Sequence, residues 1–182
     1  VSREDEALMS LILYLDRSSS MNSSDPESLA PAVALGLAEA ARATGSEVYT
    51  LGFSDRPTLL ARPNEQGIRL VDLGNTTKLL PAIKRAKRLT VGASYQKVQI
   101  VVTDGDLDSE ERIPEVIQLL REISTYIYLI YIGDREYIFE RWKPYIPAWK
   151  ASKVAALPGI VEAIVEAMLL QRAEEHGEEA AL

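Results

Sequence analysis

The sequence predicts an α/β domain: a doubly wound, mostly parallel sheet with helices on both faces. Three observations predict it. Short apolar runs, of the kind that form strands buried on both faces, alternate with amphipathic helical stretches. The chain has 182 residues, 47% of them hydrophobic, enough for one core and little more. Polar clusters stand directly beside the ends of the apolar runs, where open α/β sheets gather ligands.

The elements follow in order. Leu8 to Leu15 is an apolar run that ends at Asp16 and forms the first strand. Asp25-Pro26-Glu27 opens a helix, with Asp25 as N-cap and Pro26 at the first helical position. That helix carries Leu29, Val33, Leu37 and Ala41 on one face and stops at Gly45. Glu47 to Phe53 is a strand, and Thr58 to Ala61 a short edge strand after Pro57. Thr77 to Leu89 is helical, and Val98 to Thr103 is a buried strand ending at Asp104. A helix from Ser109 to Ile123, with Asp108 as its N-cap, leads into a strand from Thr125 to Ile132. Glu136 to Ile146 is helical until Pro144 breaks it, and Trp142, Tyr145 and Trp149 read as packing residues. Ser152 to Ala155 is a weak last strand, and Pro158 to Arg172 an amphipathic closing helix. Residues 1–172 therefore form the domain, and 173–182 an acidic, disordered C-terminal tail containing His176. Strand–helix alternation of this kind requires right-handed crossovers.

Composition narrows the function. Twenty-seven acids against 20 bases give a net charge of −7, which opposes a global grip on nucleic acid. Lys84, Arg85, Lys87 and Arg88 form a local basic cluster, read first as a solvated helix face and second as a contact for RNA or an acidic partner. Cysteine is absent, so neither disulfides nor thiolate metal sites arise. No stretch has the roughly 20 apolar residues of a membrane span, and the start at Val1 has no basic leader. These features give a cytoplasmic expectation and suggest a fragment whose missing part is N-terminal. There is no nucleophile–base pair, no phosphate-cradling glycine loop and no dinucleotide fingerprint, so the chain is not expected to be an enzyme.

Three polar clusters fall at one sheet edge: Asp16-Arg17-Ser18-Ser19-Ser20, Asn75-Thr76-Thr77 and Thr103-Asp104-Gly105. Carboxylates and hydroxyls without His or Cys make a hard-oxygen site suited to Mg²⁺ or Mn²⁺. Two Asp offset most of a dication's charge, and neutral hydroxyls leave it residual charge and an open position.

These residues resemble the von Willebrand factor A (vWA) family, whose metal ion-dependent adhesion site (MIDAS) combines Asp-x-Ser-x-Ser, a Thr and an Asp. Asp16, Ser18 and Ser20 match the first element, and Asp104, in Thr-Asp-Gly, the last. Thr77 matches the middle one, because Thr77-Lys78-Leu79-Leu80-Pro81-Ala82 keeps the family's Thr-to-Pro-Ala spacing. Two positions depart from the pattern: Ser19 stands for the usual Gly, and Asn75-Thr76 for Gly-Gly. The resemblance spans residues 8 to 170 and implies a Rossmann-like sheet with a short antiparallel edge strand. It implies that Ser18 and Ser20 bind the ion directly, Thr77 directly or through water, and Asp16 and Asp104 mainly through waters. It further implies a protein-interaction module that binds a partner's Asp or Glu carboxylate through Mg²⁺. The family setting is an assembly with a MoxR-type AAA+ ATPase, in the manner of the CoxE and ViaA groups. The alternatives are the C-terminal domain of a Ro-like RNA-binding protein and an extracellular adhesion domain.

Overall fold

The computed structural model describes residues 9–16, 36, 47–53, 58–60, 79–90, 96–103, 112–133, 135–151 and 157–181. Six strands form one sheet: β1 (Met9–Asp16), β2 (Glu47–Phe53), β3 (Thr58–Leu60), β4 (Gln96–Thr103), β5 (Tyr126–Ile132) and β6 (Ala148–Ala151). Their spatial order is β3-β2-β1-β4-β5-β6. All neighbours run parallel except β3, which pairs antiparallel with β2 at the edge. The helices are α1 (Leu80–Leu89), α2 (Ile113–Ile123), α3 (Glu136–Trp142) and α4 (Leu157–Ala181). The helix expected after Asp25 lies outside the described residues except for Gly36, which is helical.

The alternation of the strands builds two cores. Leu11, Leu13 and Leu15 of β1 face one way, with Val98, Ile100 and Val102 of β4, onto Ile160, Ile164 and Met168 of α4. Ile12 and Tyr14 face the other way, onto Ala82, Ile83 and Ala86 of α1, Val116, Ile117 and Leu120 of α2, and Trp142 of α3. Because both faces are covered, β1 and β4 read as near-continuous apolar runs. Trp142 is fully buried, as a packing residue should be, whereas Tyr145 is exposed.

Three boundaries differ from the sequence reading, each for a physical reason. Helix α1 begins at Leu80 rather than Thr77, which puts Pro81 in the first turn, where its missing N–H costs nothing. Helix α2 begins at Ile113 rather than Ser109, with extended Arg112 as N-cap and Pro114 in the first turn. The strand expected at Ser152 to Ala155 lies outside the described residues; β6 is Ala148–Ala151. It is held where the Leu129 N–H donates to the Pro147 carbonyl (3.0 Å) and the Trp149 ring tilts against Tyr128. Helix α4 does not stop at Arg172 but runs to Ala181, through the segment expected to be a disordered tail. Glutamates near a helix C-terminus oppose its dipole. Beyond Arg172 the helix is tied back to the sheet at Glu175, which accepts from the hydroxyls of Tyr126 (2.5 Å) and Thr125 (3.4 Å).

Candidate metal centre

The strand order reverses between β1 and β4, since β1 leads outward to β2 and β3 while β4 leads to β5 and β6. At such a switch point the two crossovers diverge and leave a crevice at the carboxyl ends of the strands. Asp16 is the last residue of β1, and Thr103 the last of β4. Both belong to the face of the sheet that carries Ile12 and Tyr14, because side chains alternate along a strand.

Asp16 is only 2% exposed and Thr103 fully buried. The Thr103 hydroxyl donates a hydrogen bond of 2.8 Å to Asp16 Oδ2. A buried carboxylate is costly unless its charge is paired, hydrogen-bonded or turned to a cation. The bond orients the carboxylate and lowers part of that cost, because hydrogen bonds to charged acceptors are the stronger kind.

Helices α1 and α2 bring their first residues to the same edge. The Ser124 hydroxyl, just after α2, donates to the Lys97 carbonyl near the start of β4, so α2 ends at the amino edge of the sheet. Lys87 near the end of α1 pairs with Glu122 near the end of α2 (3.0 Å), so α1 ends there too. Both helices therefore start towards the carboxyl edge. Leu79, the fully buried N-cap of α1, stands two residues after Thr77 in the sequence.

Beneath the site, Gln99 ties the layers together. Its carbonyl accepts from the Tyr14 hydroxyl (2.8 Å), and its amide donates to the carbonyls of Leu120 (2.8 Å) and Ser124 (3.4 Å). Burial pushes the Tyr14 hydroxyl far above its ordinary range, so it remains a donor. On the other flank of β4, Tyr131 lies in register with Thr103. Its hydroxyl accepts from the Arg135 N–H (2.9 Å) and sits over Gly133, whose φ of 144° places it in the region that favours glycine. A Cβ at Gly133 would lie 2.8 Å from the Tyr131 hydroxyl oxygen.

Of the five residues the sequence singles out, the structure places Asp16, at the switch point and buried. Ser18, Ser20, Thr77 and Asp104 lie outside the described residues. Their neighbours in the chain, namely Asp16, Leu79 and Thr103, are the residues brought to this edge. Among the described residues no group of three His, Cys, Asp or Glu gathers into a metal site. The sequence reading named Thr103 only as part of a cluster and missed its task of orienting Asp16. The legible signal was a Thr in place of an aliphatic residue at the end of a buried strand.

No family model matches the sequence, and no curated protein resembles it in sequence. Solved structures resemble it in fold. Proximal thread matrix protein 1 of the mussel byssus, in a structure with a zinc-occupied MIDAS motif, superposes with a TM-score of 0.65 at 18% identity. The match covers 88% of this chain and 45% of the mussel chain, so this chain spans under half of that protein. BatB from Bacteroides thetaiotaomicron gives 0.64 at 17% identity, covering 87% of this chain and 98% of BatB. The ArnB paralog VWA2 from Sulfolobus acidocaldarius gives 0.62 at 17%, covering 83% and 43% of the two chains. The chain has a vWA fold. In this vWA sheet, Asp16 ends the strand beside the switch point, the place where the resemblance puts the first aspartate of a MIDAS. Among the described residues no helix is long and apolar enough to cross a membrane.

Proposed function

We propose that this vWA domain is a metal-dependent protein-interaction module that binds a carboxylate of its partner at the β1–β4 switch point. The observation that carries the reading is the buried Asp16 carboxylate, held by the Thr103 hydroxyl at that edge. The donor set fits a hard divalent cation. Asp16 and Asp104 would supply charge, Ser18, Ser20 and Thr77 neutral oxygens, and no His or Cys competes. When bound, the ion would supply residual positive charge and an open position for an outside Asp or Glu. Oxygen donors favour Mg²⁺ or Mn²⁺. The zinc in the mussel protein makes divalent charge, rather than one element, the property that supports the reading.

The protein's own residues have the remaining tasks. Thr103 fixes the Asp16 carboxylate, and the Tyr14–Gln99–Leu120 hydrogen bonds hold β1, β4 and α2 in place below it. A rigid support of this kind keeps ligands oriented and strengthens metal sites. The reading is of a binding module rather than an enzyme. The partner class that suits it is an acidic protein surface within a cytoplasmic assembly, with a MoxR-type AAA+ ATPase as the specific proposal. Crystals soaked in Mn²⁺ test it by anomalous scattering. One peak per chain at the carboxyl ends of β1 and β4 is expected. Peaks only elsewhere, or none, would remove the basis for the reading.

A further inference from the structure

The outward face of α1 is cationic in a protein that is otherwise acidic. The helix carries Lys84, Arg85, Lys87 and Arg88 and no acid, so the rest of the chain holds 27 acids against 16 bases (20 minus 4). All four are exposed, while Ala82, Ile83 and Ala86 are buried. At 100° per residue, Lys84 and Arg88 lie directly opposite that buried side, with Arg85 on one flank and Lys87 on the other. Only Lys87 has an ion pair among the described residues, with Glu122; Lys84, Arg85 and Arg88 have none.

The fold does not account for all of this charge. Lys87 and Arg88 lie in the last turn, where a cation complements the helix dipole. Lys84 and Arg85 lie mid-helix and have no such role. Lys84 stands four residues before Arg88 and three before Lys87, and like charges at these spacings destabilise a helix. A chain rich in glutamate keeps bases at every charged position of this face. Leu89, 37% exposed, adds an apolar contact at its end.

We infer that the α1 face is a second, metal-independent docking surface for an acidic segment of a protein partner. The bases span Lys84 to Arg88, about 6 Å along the axis at 1.5 Å per residue, which matches about one turn of a partner helix. Carboxylates on such a helix at three- and four-residue spacing would match the bases of α1. A nucleic-acid strand fits less well, because exposed aromatic rings for base stacking are absent from the face and the net charge of −7 repels a long polyanion. The inference does not depend on the metal site, since the basic side chains lie along the helix away from the carboxyl edge.

A fluorescein-labelled helical peptide bearing Glu at every third or fourth position, and a poly(U) RNA of equal charge, test the proposal by fluorescence anisotropy. The protein is the full chain, wild type and with Lys84→Glu combined with Arg85→Glu. Those changes spare Lys87, its ion pair and the helix end. They also place an acid four residues before Arg88, which favours the helix. Expected is peptide binding that persists in EDTA, weakens with salt and falls by about tenfold or more in the double variant. Circular dichroism should stay unchanged. Equal or tighter binding of poly(U), peptide binding indifferent to the charge reversal, or no binding at low salt would each overturn the proposal. So would a salt-sensitive dimer of the wild type lost in the variant, because the occupant would then be a second copy of this chain. Loss of peptide binding in EDTA would also overturn it, by assigning the peptide to the metal site.

Discussion

Replacing Thr103 with Val removes one hydroxyl and almost no volume, and with it the hydrogen bond to Asp16. That bond is 2.8 Å long, its donor is fully buried and its acceptor carboxylate is 2% exposed. Hydrogen bonds to charged groups contribute about 1.5–3 kcal/mol, and the penalty persists because water cannot replace the lost donor. No cavity term adds to it, since Val fills the space of Thr. For a domain of this size each kcal/mol moves the melting temperature by roughly 2–4 °C. Thr103→Val should therefore melt about 3–12 °C below wild type in EDTA. The assay is thermal unfolding followed by circular dichroism, with Asp16→Asn and the double variant completing a cycle. The coupling between the two positions should carry most of the loss. A Thr103→Val melt that matches wild type in EDTA, or strictly additive changes in the cycle, would refute the claim that Thr103 supports the Asp16 carboxylate.

Three further outcomes follow from the structure. Gln99→Leu strips the partner from the Tyr14 hydroxyl and from the Leu120 carbonyl, so urea denaturation should register a loss of about 2–4 kcal/mol. Gly133→Ala meets both a φ of 144° and the Tyr131 hydroxyl at 2.8 Å, and should cost about 1–3 kcal/mol by the same measurement. Burial holds the hydroxyls of Tyr14, Tyr126 and Tyr128 above their ordinary pKa of about 10. Their contribution is complete below that value and lost as pH rises through the folded pKa values, because the unfolded chain releases its protons first. Stability should thus fall above about pH 10, and less steeply in Tyr14→Phe; an equal slope in that variant would contradict the assignment.

The sheet was legible because β1, β4 and β5 are apolar on both faces, a pattern that needs no tertiary information. Asp16 was legible for the same reason: a carboxylate directly after such a run has one place to go in an open parallel sheet. The helix starts were less legible, because Pro81 and Pro114 set them more firmly than the polar residues upstream. The extension of α4 past Arg172 could not be read locally. Its glutamates oppose the helix dipole, and the Tyr126 hydroxyl that holds Glu175 comes from a strand 49 residues earlier. Strand β6 was not legible because Ala-Trp-Lys-Ala has no strong strand signal; its placement comes from pairing with Leu129 to Ile132. The orienting role of Thr103 depends on the register between β1 and β4, which adjacent residues in sequence do not reveal.

The central claim is tested most directly by titrating Mn²⁺ into the chain by isothermal calorimetry, wild type against Asp16→Asn. That substitution keeps the side-chain shape and removes the charge. The account predicts one Mn²⁺ per wild-type chain, competed by Mg²⁺, and no measurable binding in the variant at the same concentrations. Binding of equal strength in Asp16→Asn, or no heat from the wild type at millimolar Mn²⁺, would contradict it.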